Sequence, residues 1–423
     1  MGKDAEFAKL IQIGRPPNIT RRFPHSQALI VSGKVVDQAL VKKGKAMTIA
    51  ANGRNSFIIR GALMAAQRAD ATLLIEIARS EANYCPTSFY NLALQVDSIA
   101  NEMGITIPVA VHADHYGIKS EADIPFAKME IPSMFDAGIT SIAVDASHMA
   151  DDKNLLANIE LNPCIPAWAG LETEVGEIKG EQGLSTVDDA SFLIKGLNAH
   201  GIFADWIALN NGSTHGLEAS GQGIQVELTA KIHQALEKYG VSGAQHGTSG
   251  NSSDKLREIA AVTRTTKANV ATALQMVSWG VEVNDYGNAI LDSDGNFIKL
   301  SGQGVSTEMW QRMVKYAADK GWKGGNYKNL NLPFENLLLA QERKVRERMS
   351  KAVEEFVYNL LTKVFNAEGT ATLAKELLLA AGSYDLGAKG KQLEKKQDWT
   401  RELIIERAQS LDVDAGPQGD FDD

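Results

Sequence analysis

The sequence predicts a (β/α)8 TIM barrel with an N-terminal extension and a C-terminal helical extension, on three observations. Eight apolar, strand-like runs, most followed by a helical pattern, alternate over roughly 230 residues, the rhythm of a parallel barrel. Most of these runs end in a polar residue able to bind metal, phosphate or a sugar, and the C-terminal ends of barrel strands are where that fold places chemistry. No glycine-rich dinucleotide fingerprint follows the first run, which weakens a doubly wound sheet, the competing architecture.

Residues 1–45 mix basic and apolar positions around the breaker Gly14-Arg15-Pro16-Pro17. They read as an N-terminal extension that packs across the fold with short helices. The catalytic barrel is expected over 46–284. Its first run, 46–51, ends in Asn52-Gly53 and precedes a helical pattern over 56–68. The second, 71–78, ends at Arg79-Ser80, with a helix from about 87 to 103. The third, 105–111, ends abruptly in His112-Ala113-Asp114-His115, ahead of a helix around 124–137. The fourth, 140–144, ends at Asp145 and His148, with a helical segment over 152–160. The fifth, 167–171, leads into Glu172-Thr173-Glu174-Val175-Gly176, and the sixth, 206–209, into a polar stretch holding His215-Gly216. The seventh, 243–245, leads into His246-Gly247-Thr248-Ser249-Gly250, and the eighth, 265–268, into Asn269-Val270-Ala271-Thr272.

Past Val281 the pattern changes. A turn at 292–295 precedes a helix over 306–320, a polar irregular segment over 321–331 and one long helical pattern over 335–365. Leu337, Leu338, Val345 and Met349 are its expected buried positions, and 343–348 is basic. Such a helix packs on a barrel or on a second subunit, so a homo-oligomer is expected. The region 285–410 reads as a mostly helical extension. The tail, 411–423, is acidic and Gly-rich and reads as disordered.

Composition narrows the function. Hydrophobic content of 44% and charged content of 22% are ordinary for a soluble globular protein. A net charge of −9 without an offsetting basic stretch argues against nucleic acid, yet leaves a small anionic substrate open because local charge can oppose the global sign. Two cysteines, Cys85 and Cys164, exclude a disulfide framework and a cysteine-based zinc site, and fit a reducing compartment. The N-terminus has no signal-peptide core, and no run approaches the length of a membrane span. The expected location is the cytoplasm, with no membrane partner.

Imidazole beside a carboxylate, as in His112-Ala113-Asp114-His115, suits a zinc ligand next to an acid/base group. His115 has counterparts at other strand tips in His215 and His246. Strand tips far apart in sequence converge on one face of a barrel, and three imidazoles with open positions make a catalytic zinc site. Glycines after His215 and His246 let backbone approach an ion and expose N–H groups to an anion. Asp145 and Glu174 either orient the metal-binding histidines or form a second cation position. Gly247, Ser249, Asn269 and Thr272 sit in what is the usual phosphate corner of a barrel, or form ordinary turns.

Six motifs in order, HADH at 112–115, DASH at 145–148, ETEVG at 172–176, GSTHG at 212–216, HGTSG at 246–250 and KANVAT at 267–272, resemble those of class II (zinc-dependent) fructose-bisphosphate aldolases. The resemblance spans roughly residues 46 to 280, and the helical region near 335–365 is similar to that of longer members. It implies a carbon–carbon lyase of glycolysis and gluconeogenesis that reversibly cleaves fructose 1,6-bisphosphate to dihydroxyacetone phosphate and glyceraldehyde 3-phosphate through a zinc-stabilised enediolate. At matching positions it implies Asp114 as the acid/base and His115, His215 and His246 as zinc ligands. Asp145 and Glu174 match an alternative or structural zinc position. Ser80, Gly216, Gly247, Ser249, Asn269 and Thr272 would bind the dihydroxyacetone phosphate portion. The cofactor implied is Zn2+ or another divalent ion, with room for a monovalent cation, and His112 becomes a supporting residue behind the ligands.

The chain departs from the family pattern in three places. The loop after ETEVG usually carries a proton-moving glutamate that by register falls on Gln182; Glu181 is the nearest replacement and Glu177 a weaker one. Ala271 stands where a polar residue is usual, and no arginine matches the one some members use for the far phosphate. Three alternatives remain in view. One is cleavage of another ketose phosphate such as tagatose 1,6-bisphosphate. Another is a Schiff-base aldolase using Lys267, and the third is a non-catalytic metal-binding homologue.

Overall fold

The structure, a computed structural model, describes residues 3–176, 183–212, 223–248, 251–284 and 287–411. Its strands are β1 (Ile30–Val31), β2 (Thr48–Asn52), β3 (Leu73–Ala78), β4 (Val109–Gly117), β5 (Ser141–Asp145), β6 (Gly170–Val175), β7 (Trp206–Leu209), β8 (Ser242–Gln245) and β9 (Thr265–Val270). All pair in parallel. β2 to β9 follow one another around a ring that β2 closes on β9, so the expected (β/α)8 barrel is the fold. β1 pairs only with the start of β4, Ile30 opposite Val109. No helix among the described residues is long and apolar enough to cross a membrane.

Several strands run further than the apolar runs suggest, β4 and β6 most of all. β4 continues through the whole His112–His115 motif to Gly117, and β6 starts at Gly170 and runs through Glu172 and Glu174. The polar residues expected just beyond these strands therefore lie within them. In β4 the register against β5 shifts between Ala113 and Tyr116, and His115 takes a left-handed backbone conformation with φ +40°. Such a bulge puts two successive residues on one side of a strand.

The N-terminal extension closes the bottom of the barrel. Its helix Gly33–Lys43 sends Val35, Val36 and Ala39 against Ala50, Ala110 and Trp206 from the strands. Below them Asp37 accepts from Thr266 (2.7 Å) and pairs with Lys389, whose ammonium also donates to Ser242 (2.6 Å). Those contacts bring the C-terminal chain back under the barrel.

The single helix expected over 335–365 is broken. Helix Asn331–Leu339 stops, Glu342 is extended, and a second helix runs over Arg343–Asn359 into a π-turn at Leu360–Val364. The Gln341 side chain accepts from the Ser306 amide (3.1 Å), and Arg346 donates to the Gln341 carbonyl (3.1 Å). The long-range bond to Ser306 and the local bond from Arg346 together favour the break over continued helix. The second helix lies against helix Ser56–Ala69, where Gly61 is required: a Cβ there would stand 2.5 Å from the Ser350 carbonyl. The segment read as irregular at 321–331 instead winds into a 3-10 turn over Gly324–Leu330. Antiparallel bridges Val281–Lys299, Val283–Ala289 and Leu291–Phe297 form a small meander that periodicity does not announce.

Candidate active site

The barrel interior carries charge at mid-height. Residues two apart on a strand share a face, so Glu76 on β3, His112 and Asp114 on β4, Glu172 and Glu174 on β6, and Lys267 and Asn269 on β9 all point inward. Lys267 is wholly buried, with its ammonium 2.7 Å from Glu172, 3.1 Å from His112, 3.3 Å from Glu76 and 3.6 Å from Asp114. Burial opposes its charge, but Glu172, Glu76 and Asp114 more than offset this and hold its pKa above the ordinary lysine value. An ammonium only donates, so Nε2 of His112 accepts from it and Nδ1 carries the proton toward Ser141 Oγ (2.8 Å). Burial and then Lys267 push the His112 pKa down to about 3, and the ring stays neutral. Burial and then Asp114 drive Glu76 well above the usual carboxylate range, while Lys267 holds Glu172 down at about 2 against the effect of burial.

Above this layer lies the mouth. The bulge in β4 places Asp114 and His115 side by side at the top of the strand. Nδ1 of His115 is 3.2 Å from Glu174 and 3.5 Å from Asp145, and its ring centroid is 4.4 Å from that of His246. His246 bonds through Nε2 to Glu172 (2.8 Å), which fixes the ring and leaves Nδ1 3.8 Å from Glu174. Burial works against the Asp114 charge, yet His115 and Lys267 hold its pKa below the ordinary range. Asn269 Nδ2 and Lys267 both engage Asp114 Oδ1, at 2.9 and 3.6 Å.

This donor set fits a divalent cation. Asp114, His115 and His246 can each present one ligand atom with all three atoms within 4.8 Å of one another, and so can His115, Asp145 and Glu174. Burial and then the neighbouring Asp145 carboxylate raise the Glu174 pKa, against the pull of His115, whose Nδ1 is 3.2 Å from Oε1. A cation there would offset both causes. Glu172 orients His246 as a carboxylate typically orients a metal-binding imidazole. His215, Gly216, Glu181, Gln182 and Ser249 lie outside the described residues.

Of the remaining expected residues, Ser80 opens a 3-10 turn, Ser80–Asn83, directly after β3. Thr272 opens helix Thr272–Trp279 directly after β9. Gly247 has φ +60°, a left-handed conformation that glycine adopts without strain. Asn269 lies at the end of β9 and donates from Nδ2 to Asp114 (2.9 Å). The sequence singles out neither Glu76 nor Glu172, and it offers Lys267 only as the nucleophile of the alternative Schiff-base mechanism. The available signal was a charged residue inside an apolar strand run, which needs a partner wherever it is buried.

The comparisons agree with this picture. The family model described as "Fructose-bisphosphate aldolase class-II" matches residues 34–369. The chain belongs to the class-II fructose-bisphosphate aldolase family. It is 28% identical over 256 residues to a fructose-bisphosphate aldolase from Streptococcus pyogenes serotype M3, covering 58% of this chain and 80% of the relative. It is also 28% identical over 257 residues, with the same coverage, to one from Streptococcus pneumoniae. Among solved structures, the YdjI aldolase of Escherichia coli K12 shares the fold with TM-score 0.55 at 19% identity, over 81% of this chain and 99% of that one. A putative fructose-1,6-biphosphate aldolase from Coccidioides immitis does so with TM-score 0.52 at 19% identity, over 80% and 96%.

Proposed function

We propose that this chain is a divalent-metal-dependent aldolase that reversibly cleaves fructose 1,6-bisphosphate, or a closely related ketose bisphosphate, to dihydroxyacetone phosphate and an aldehyde. The observation that carries the reading is the convergence of Asp114, His115, His246, Asp145 and Glu174 at the barrel mouth, where groups of three can each present ligand atoms within 4.8 Å of one another. Zinc or a similar ion held by His115, His246 and His215 would supply Lewis-acid stabilisation of negative charge on the sugar oxygens.

The protein's own groups do the rest. Asn269 and Lys267 fix Asp114 through Oδ1, which leaves Oδ2 to take the proton of the C4 hydroxyl. As that proton leaves, the C4 oxygen becomes a carbonyl, the C3–C4 bond breaks, and its electron pair passes to the dihydroxyacetone phosphate half. Glu181 returns a proton to C3. Ser80, Gly247 and Thr272 hold the phosphate that fixes the substrate's position. Lys267 is unsuited to attack a carbonyl, because a cation held by carboxylates has no lone pair to offer. The test is an aldol-cleavage assay on several ketose phosphates with and without EDTA. Cleavage abolished by chelator and restored by zinc is expected; full activity in metal-free protein would overturn the reading.

A further inference from the structure

A second buried polar cluster lies beside the barrel mouth, built from residues other than the metal-binding ones described above. Arg54, in the loop after β2, is 5% exposed and donates from Nε to Glu81 Oε1 (2.5 Å) and from NH1 to Gln275 Oε1 (3.2 Å). Glu81 Oε2 also accepts from the Ala78 amide and from Asn52, each at 2.9 Å. Burial works against the Arg54 charge, and Glu81 more than offsets this and holds the Arg54 pKa above the ordinary arginine value. From the C-terminal extension, Asn331 donates to the same Gln275 oxygen (2.7 Å) and accepts from Asn55 (3.1 Å), while the Leu332 amide bonds to the Tyr84 carbonyl (3.0 Å).

The bonded residues have telling neighbours. Glu81 follows Ser80, in a 3-10 turn pinned to the end of β3 by the Ala78 bond. Gln275 lies one helical turn after Thr272. Arg54 thus bridges the two elements that carry the hydroxyls assigned to the substrate phosphate, and a guanidinium is the side chain whose planar fork can hold two acceptors at once. Asn331 reaches the same joint from more than fifty positions beyond Gln275.

We propose that Arg54 is the positioning residue of the phosphate corner, that it sets the spacing of Ser80 and Thr272, and that Asn331 makes the C-terminal extension part of that joint. The inference rests on the phosphate-binding role given to this corner above. The alternative is a purely structural clamp. An isolated clamp would affect folding and metal content together with activity; a positioning device moves substrate affinity on its own.

The experiment uses the full-length, zinc-loaded chain and compares wild type with Arg54→Lys and Asn331→Ala. Lysine keeps the charge beside Glu81 but cannot span both acceptors. Arg54→Lys is expected to raise KM by about tenfold and lower kcat much less, the pattern of lost binding rather than lost chemistry. Dihydroxyacetone phosphate affinity, measured by calorimetry, should fall in proportion while zinc per chain is unchanged. Asn331→Ala, which leaves the Arg54–Glu81 pair intact, should move KM the same way by about threefold, and it carries the test if Arg54→Lys does not fold. Unchanged KM and affinity, or a fall in kcat and zinc content with no separate change in KM, overturns the proposal. If wild type cleaves no ketose phosphate but binds inorganic phosphate, the reaction proposed above fails while the variant-to-wild-type ratio of phosphate affinity still decides this inference. If wild type binds no phosphate compound, both fall.

Discussion

Removing the buried cation tests the electrostatic design of the barrel interior directly. Lys267→Met keeps the approximate length of the stem and deletes the ammonium. At an effective dielectric near 20, a unit charge 2.7 Å away contributes ~6 kcal/mol and one 3.6 Å away ~5 kcal/mol, for Glu172 and Asp114 respectively. Glu76, 3.3 Å away, adds further attraction, opposed by the burial that raises its own pKa. Desolvation of the ammonium cancels much of this attraction, and stranded carboxylates escape part of the remainder by taking up protons. The net expectation is a loss of about 3–5 kcal/mol, the usual cost of deleting one partner of a buried pair. The assay is urea unfolding of metal-free protein, read as a shift in midpoint at unchanged m-value. Adding Glu172→Gln to Lys267→Met should recover part of the loss, since removing both partners spares the stranded charge. A loss below about 1 kcal/mol, or a double variant worse than the sum of its parts, would refute the argument that Lys267 is held as a cation by these carboxylates.

Asp114→Ala should retain its metal while turnover falls by roughly 10²–10⁴-fold, the usual contribution of a general acid/base; metal analysis beside a cleavage assay separates the two. Glu181→Gln should slow proton exchange on dihydroxyacetone phosphate measured by NMR, and unchanged exchange would assign proton transfer to another group. Borohydride reduction in the presence of substrate should leave no adduct on Lys267, as mass spectrometry of the digested protein would show. The last prediction concerns pH. Glu172 is depressed from 4.5 to about 2, so its contribution is full above pH 4.5 and is lost as pH falls through 2. Glu172→Gln should therefore cost about 3 kcal/mol at neutral pH, and the gap to wild type should close progressively below pH 4.5. A gap independent of pH would mean that the cost is one of packing, not charge.

Much of the fold was legible because a parallel barrel repeats one signal eight times. Apolar runs such as 206–209 are bounded by polar residues on both sides, and their alternation with helical stretches survives errors of a few residues at any boundary. The C-terminal helices were less legible for a specific reason. The 335–365 region has helical periodicity throughout, and its interruption at Gln341 depends on bonds to Ser306 and within its own turn, which no local pattern encodes. The strand ends of β4 and β6 were misjudged for the opposite reason. Polar residues inside a strand look like its termination when the partners that neutralise them are far away in sequence.

The same division explains the site. Asp114, His115, Asp145, Glu174 and His246 could be picked out because each lies at or near the upper end of its strand, where a polar residue in an apolar context marks the mouth. Glu76, Glu172 and Lys267 sit lower, and Lys267 finds Glu172 95 positions earlier and His112 155 positions earlier. Asp114 and His115 add a last point. Strict alternation would send only one of two adjacent residues into the barrel. The bulge in β4 and the left-handed conformation of His115 break that rule, so the proposed acid/base and the proposed ligand stand on one side of the strand. A positive φ at a non-glycine residue costs of order 1–3 kcal/mol and persists only where its surroundings demand it. Here Glu174, Asp145 and His246 surround the ring, and retaining the strain is intelligible as the cost of aiming two neighbouring side chains at one substrate.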